Sequence, residues 1–513
     1  MTAAPTPTAL GLIERIQGRQ ARIGVVGLGY AGLPLALRFA ECGFAVSGFD
    51  IDGAKVAAIN AGRSPVHGIP DARVAAARIA AHEDFAAARD CDAILICVPT
   101  PIGPHKEPIL EPVRQTLASL APHLRPGHAI ALESTTYPGT TEDFVLPALV
   151  AAGLRVGVDA FALYSPERED PGNPDGTFGR VPKLVAGATP ACLQVGMALY
   201  GAATPHLVPM TSLAAAELTK LYENVFRAVN IGLVNELKRI SHALDIDVHE
   251  VIDAAQTKPF GFMPFRPGPG LGGHCIPVDP YYLAWKAREL GVPSDFVELA
   301  GRVNDAMPPY VVGRLRDALD ARGIALRGAK VLLLGLAYKP GVPDTRESPA
   351  IEIFRLLEEK RVEIAYHDPL VPHFPVTRRL HGQAPGLESQ ELTPALLAAQ
   401  DAVLVVTPQP GIDFALVRDH APLVVDTRGV YRDAAVRVDG PDQDAPWAEL
   451  RGAGSRAAPC RPDAGPAMAH APAHATALAD APRPGTAQGA LHPEMPGDFP
   501  SAPHRAYHRV IQA

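Results

Sequence analysis

The chain has 513 residues, which at roughly 100 to 200 residues per domain predicts two or three domains rather than one core. Its 47 Lys and Arg against 55 Asp and Glu leave a net charge of −8, so no overall positive field is available to hold nucleic acid or an anionic membrane surface. With 47% hydrophobic and 20% charged residues, and no apolar run near the ~18 residues that a membrane span needs, the composition reads as globular. The first stretch, MTAAPTPTALGLIERIQGRQ, lacks a basic start followed by a sustained apolar run, so a cytoplasmic location is expected. Six cysteines in no CxxC pair predict free thiols.

In chain order, ARIGVVGLG, a helix, FAVSGFD, a helix and DAILICVPT follow the rhythm of a doubly wound parallel sheet, giving a first domain over 20–205. A long helix is predicted over 211–244, with no proline and one glycine, Gly232, as suits a connector. It opens a small helical domain over 206–319. At Lys330 the strand-helix-strand rhythm restarts with KVLLLGLAYK, then AIEIFRLLEEK, VEIAYHDP, DAVLVVT and PLVVDTRG, giving a second α/β domain over 320–440. The predicted class is α/β: two Rossmann-like doubly wound domains joined by a long central helix and a small helical domain. From 451 onward the chain holds 10 Pro and 17 Ala but five residues from the Leu, Ile, Val and Phe group. That tail cannot bury a core, so 441–513 is expected to be disordered. The spacings of its five histidines fit no tetrahedral site, and no metal is expected.

Three motifs carry chemistry. Gly27-Leu28-Gly29-Tyr30-Ala31-Gly32 lies between a predicted strand and helix, and Asp50 ends the next strand, where a carboxylate accepts hydrogen bonds from ribose hydroxyls and repels a 2′-phosphate. That favours NAD over NADP; the alternative is a glycine-rich turn without a ligand. The run from Gly268 to Pro280, GPGLGGHCIPVDP, delivers Cys275 with Asp279 four residues on. A lone cysteine is usually a small buried hydrophobe, but a thiolate near a nicotinamide site can trap an aldehyde and pass it on as a thioester. On the long helix Glu217, Lys220, Asn224 and Arg227 fall within an arc of about 80°. They form either a solvated stripe or a group that steadies charge on a reacting oxygen. His274 reads as a packing or hydrogen-bonding residue. In the second domain only Gly335-Leu336-Ala337 stands where a full fingerprint would, and Asp368, which mirrors Asp50, reads as structural.

These residues resemble the UDP-glucose/GDP-mannose dehydrogenase family. The resemblance rests on GVVGLGYAGLPLA, CVPTP, ESTTYPGTTE, SPEREDPGN, AELTKLYENVFRAVN, PGPGLGGHCIPVDP and GLAYKPGVPDTRESPA, in order, from about residue 22 to 435. It implies Cys275 as nucleophile, Lys220 as the cation on the alkoxide and thiohemiacetal oxygens with Asn224 beside it, Thr136 and Asp279 positioning water, and Glu167 as general base. For NAD it implies Gly27, Gly29, Ala31, Gly32, Asp50, Lys55, Thr100, Thr136 and Arg346. For a UDP-sugar it implies Arg168, Lys220, Asn224, Arg227, Lys258, Tyr338, Lys339 and Arg428.

The activity implied is four-electron oxidation of the C6 hydroxyl of a UDP-N-acetylhexosamine, UDP-N-acetylglucosamine foremost, for surface polysaccharide synthesis. UDP-glucose, UDP-GalNAc and UDP-ManNAc stand as alternative substrates. The long helix and the resemblance together imply a homodimer or a higher homo-oligomer, and the charge balance and lack of a long apolar run predict no nucleic acid or membrane partner. Two rivals remain: a two-electron hydroxy acid dehydrogenase, which would not need Cys275, and a silent nucleotide-sugar binding protein.

Overall fold

The computed structural model of the chain describes residues 6–168, 181–273, 275–375, 386–432 and 510–512. The first sheet has eight strands: β1 (Arg22–Val26), β2 (Ala45–Phe49), β3 (Ala80–His82), β4 (Ala93–Ile96), β5 (Ala129–Leu132), β6 (Phe161–Tyr164), β7 (Lys183–Gly187) and β8 (Leu207–Pro209). They are ordered β3-β2-β1-β4-β5-β6-β7-β8, and of the neighbouring pairs β6 with β7 is antiparallel. The sequence of β4 shows how the sheet is held. Ala93 and Leu95 enter the core on one face, Ile94 and Ile96 the core on the other. A strand covered on both faces reads as a continuous apolar run. The strand order reverses between β1 and β4, which opens a crevice at their carboxyl ends, where such sheets take ligands.

The second sheet contains β9 (Lys330–Leu334), β10 (Glu363–His367), β11 (Ala402–Val405), β12 (Val424–Asp426) and β13 (Val510–Gln512). Its order is β10-β9-β11-β12-β13, all parallel. The two-faced burial recurs: Val331 and Leu333 pack on one side, Leu332 and Leu334 on the other. Strand β13 corrects an expectation. The segment 441–513 is expected to be disordered throughout, yet the backbone of its last residues pairs along β12, Val510 opposite Val424. An open sheet edge offers unpaired N–H and C=O groups to any extended segment, whatever the composition of the chain leading to it. The remainder of that segment, with its histidines and Cys460, lies outside the described residues.

Between the sheets runs the central helix, Leu213–Ala243, 31 residues long. Ser212 caps it by accepting a hydrogen bond from the Ala215 N–H at 3.1 Å. Leu213, Ala216, Leu221, Val225 and Ala228 are buried on one face. Gly232 lies against the helix Asp295–Asp305, where a Cβ would stand 3.2 Å from the Ala300 Cα, so the missing side chain permits the close crossing. On another face Leu218, Tyr222, Phe226, Leu233 and Ile240 remain between 41% and 66% exposed. Cys42, Cys91, Cys97, Cys192 and Cys275 are free thiols. Among the described residues no helix is long and apolar enough to cross a membrane, and no His, Cys, Asp and Glu cluster is placed to hold a metal.

Candidate active site

The glycines after β1 divide their work. Gly27 has φ +87°, and a Cβ there would stand 2.7 Å from the Cys97 carbonyl oxygen; at Gly32 it would stand 1.8 Å from the Gly27 oxygen. These two permit the turn and the close packing of the helix Gly32–Glu41. Gly29 has nothing within 4 Å of that position, so backbone faces open space at a helix N-terminus, as a pyrophosphate requires. Asp50 accepts from the Leu28 N–H at 2.8 Å and the Asp52 N–H at 3.0 Å, and Lys55 Nζ lies 3.4 Å from it. One carboxylate thus ties the glycine turn to the end of β2. Arg346, from the second α/β unit, holds Asp344 at 2.6 Å and lies over the Tyr30 ring at 5.1 Å. The Thr100 hydroxyl donates to the Thr135 carbonyl at 2.8 Å. The turn, the open face at Gly29 and the carboxylate at Asp50 fit NAD.

A cavity of about 320 Å³ adjoins this turn. Ala31, Glu167 and Arg168 reach it from the first α/β unit, and Lys220, Asn224 and Arg227 from the central helix. The glycine-rich loop brings Cys275, while Tyr338, Lys339 and Arg428 come from the second α/β unit. Lys220 and Asn224 are 7% and 5% exposed, and Glu217 is fully buried. Glu217 accepts from the Gly139 N–H at 2.6 Å, the Thr141 N–H at 2.9 Å and the Thr141 hydroxyl at 2.7 Å, which pins the loop after β5. The solvated alternative for the stripe therefore does not describe these three; Arg227 is the exposed member.

Asp279 sits beneath the cavity, 3% exposed, where its Oδ2 accepts from Asn224 Nδ2 at 2.5 Å. Burial pushes its carboxyl up to about 7, against the opposing pull of Lys220 and Asn224. Burial likewise pushes the Cys275 thiol up to about 12; Asp279 and Glu167 add to the rise, and Lys220 and Arg227 oppose it. At neutral pH the thiol keeps its proton, so its attack on a carbonyl needs a proton acceptor. Arg428 is deeply enclosed, its Nε donating to the Val406 carbonyl at 2.9 Å, and burial lowers it to about 10. It remains cationic at neutral pH. The Gly268 backbone makes room for it, since a Cβ there would meet its Nη1 at 2.4 Å.

Of the residues expected for catalysis or for the sugar, Lys258 and Thr136 do not line the cavity, nor does Asp279 beneath it. Lys258 is exposed beyond the helix Val248–Gln256, its ammonium over the Phe260 ring at 5.0 Å. Thr136 is fully buried beside the Tyr164 hydroxyl, whereas Thr135 is partly exposed. Successive residues of extended chain point to opposite sides, so a one-residue choice within Ser134-Thr135-Thr136 decides which threonine faces the ligand. His274 lies outside the described residues. Asp368 accepts from the Leu336 and Ala337 N–H groups at 2.7 and 3.1 Å, the structural part expected of it.

Sequence reasoning passed over Tyr30 and Glu223, which line the cavity, and Lys238, whose Nζ reaches the Thr427 carbonyl at 3.3 Å. Burial lowers Lys238 to about 8. Glu223 holds the Arg168 guanidinium, Nη2 to Oε1 at 2.5 Å, so this arginine is already paired. The available signal was the position of Glu223 on the long helix next to Asn224.

Two nucleotide-binding sheets that share one cysteine-bearing cavity, with an NAD-type turn on the first, define a nicotinamide-dependent dehydrogenase. The chain belongs to the UDP-glucose/GDP-mannose dehydrogenase family: residues 21–204 match its NAD binding domain, 214–306 its central domain and 332–433 its UDP binding domain. It is 38% identical over 356 residues to a UDP-N-acetyl-D-glucosamine 6-dehydrogenase of Pseudomonas aeruginosa, covering 69% of this chain and 84% of the relative. It is 34% identical over 357 residues to a UDP-N-acetyl-D-mannosamine dehydrogenase of Pyrococcus horikoshii, covering 68% and 84%. The solved structure of a UDP-D-ManNAc dehydrogenase from Pyrococcus horikoshii superposes with a TM-score of 0.71 at 29% identity, over 79% of this chain and 95% of that one.

Proposed function

We propose that this chain oxidises the C6 hydroxyl of a UDP-N-acetylhexosamine, UDP-N-acetylglucosamine in first place, to the uronic acid through a thioester on Cys275. The observation that carries this reading is the convergence of Cys275, Lys220, Asn224 and Glu167 on one cavity, with Asp279 buried beneath it. The 38% identity to a UDP-N-acetyl-D-glucosamine 6-dehydrogenase supports the choice of sugar.

NAD, held by the Gly27–Gly32 turn, Asp50 and Arg346, supplies the acceptor for the hydride lost in each of two oxidations. The chain's residues do the rest. Lys220 and Asn224 stabilise the negative charge that grows on the C6 oxygen as its proton leaves, and Asp279, titrating near neutrality, takes that proton through water. The Cys275 sulfur bonds to the aldehyde carbon as the thiol proton passes through water to the aldehyde oxygen; loss of the second hydride, with that hydroxyl proton returned to water, leaves the thioester, so the intermediate stays attached. In the last step water adds to the thioester carbon while Glu167 takes its proton; the C–S bond then breaks, and sulfur is reprotonated. Arg227, Lys339 and Arg428 supply cations for a pyrophosphate, with Tyr338 and the Glu223-paired Arg168 beside them. Residues 20–205, 206–319 and 320–440 serve as the NAD, central and UDP-sugar domains. The exposed apolar residues Leu218, Tyr222, Phe226, Leu233 and Ile240 support a homodimer through the central helix.

The test is the amount of NADH released per sugar across UDP-GlcNAc, UDP-GalNAc, UDP-ManNAc and UDP-glucose. Two NADH on an N-acetylhexosamine upholds the reading; one makes it a simple alcohol dehydrogenase, and none a binding protein. A clear preference for UDP-glucose overturns the choice of sugar.

A further inference from the structure

Lys183, at the start of β7, and Glu133, directly after β5, do not line the cavity, and they are 6% and 2% exposed. Lys183 Nζ donates to Glu133 Oε2 at 2.6 Å and to the backbone carbonyls of Ser165 and Pro166 at 3.3 and 3.1 Å. The second oxygen of Glu133 accepts from the Tyr200 hydroxyl, and the Lys183 ammonium lies over the Tyr200 ring at 5.2 Å. A buried ion pair is a poor stabiliser in itself, because well-packed apolar side chains of similar volume often do as well or better. What this one adds is a grip on the two carbonyls directly ahead of Glu167. On the other side of Glu167, the Arg168 guanidinium is held by Glu223 and by the Pro182 carbonyl. The backbone on each side of Glu167 is therefore fixed by charged groups, and the grip ahead of it comes from inside the protein.

We propose that Lys183, itself set by Glu133 and Tyr200, is a positioning residue for Glu167 that governs hydrolysis of the Cys275 thioester and leaves hydride removal alone. The inference rests on the function proposed above. The step it controls is closed in atoms: water forms a bond to the thioester carbon, its proton passes to the Glu167 carboxylate, the C–S bond breaks, and the sulfur leaves with the electron pair. No hydride moves in it. A general base contributes roughly 10²- to 10⁴-fold only when held within hydrogen-bond reach of the water, and a displacement of about 1 Å costs on the order of 100-fold. Lys183 bonds to the two carbonyls directly ahead of the base and is not itself among the residues lining the cavity, so its effect is expected at this step.

The test replaces the whole cluster, Glu133→Met with Lys183→Met and Tyr200→Phe, so that no buried charge is orphaned. Rapid mixing with NAD and the UDP-sugar is followed by absorbance, by acid release and by intact-protein mass. The expected result is NADH release within a turnover at the wild-type rate, acid release slowed about 100-fold, and a chain carrying the acyl mass of the substrate on Cys275. KM for NAD should stay unchanged, and Lys183→Arg, which keeps the cation and its donors, should restore acid release. Glu133→Gln, which keeps the shape and an acceptor for the ammonium, covers the case in which the triple variant does not fold; it should show the same selective loss at smaller size. Wild-type acid release in the folded triple variant or in Glu133→Gln, or equal slowing of NADH and acid release, overturns the proposal. If wild-type protein itself releases fewer than two NADH per sugar, the failure belongs to the proposed function and not to Lys183.

Discussion

Replacing Asp279 by Asn probes the group on which the proposed proton transfers depend. Asp279 is 3% exposed, and burial moves its carboxyl from 3.8 to about 7. The folded state therefore binds the proton more tightly than the unfolded chain. This contribution to stability is fully present below pH 3.8 and is lost as pH rises to about 7, above which it is flat. With about three units between the two values, the loss between pH 5 and pH 8 is about 2–3 kcal/mol. Urea unfolding of wild type and Asp279→Asn at both pH values isolates it. Other carboxylates change equally in the two proteins, and the attraction of Lys220, which favours the ionised carboxylate, is already contained in the value of about 7. Wild type should lose about 2–3 kcal/mol more than the variant on going from pH 5 to pH 8. The same titration should appear in kinetics as a rise of kcat/KM through pH 7 that is missing from the weakly active variant. Parallel stability curves, together with an acid limb at an ordinary carboxylate value, would refute the placement of an Asp279 proton near neutrality.

Cys275→Ser should abolish acid formation and leave NAD binding intact, because a hydroxyl is a far weaker nucleophile than a thiolate; steady release of two NADH per sugar would end the thioester route. Asp50→Ala should weaken NAD and narrow its advantage over NADP, since the carboxylate holds the Leu28 N–H of the glycine turn and ends the strand where ribose hydroxyls would be bound; equilibrium titration of both cofactors measures it, and a wild-type preference for NADP would overturn the assignment. A chain ending at 440 should turn over normally, because the cavity residues lie between Tyr30 and Arg428. It should also self-associate at raised concentration through the uncovered edge of β12, as size exclusion would show.

Patterns within short stretches carried most of the fold. The β-branched runs at β1, β4, β9 and β11 are local, and a strand buried on both faces has no choice but to be apolar along its length. The helix expected over 211–244 runs Leu213–Ala243, because its limits are set by Ser212 and by the absence of proline. The glycine turn with Asp50 is likewise a property of spacing. What only the tertiary structure decided are the contacts between segments far apart in the chain, for which local spacing holds no record. Glu223 meets Arg168 across 55 residues, and Lys183 meets Glu133 across 50. Thr136 rather than Thr135 turned inward because side chains alternate along extended backbone, a difference invisible in a run of two threonines. Burial had the same character. Nothing in the letters Cys275 and Asp279 sets their proton affinities, which depend on how far folding removes each from water and on the Lys220 charge beside them.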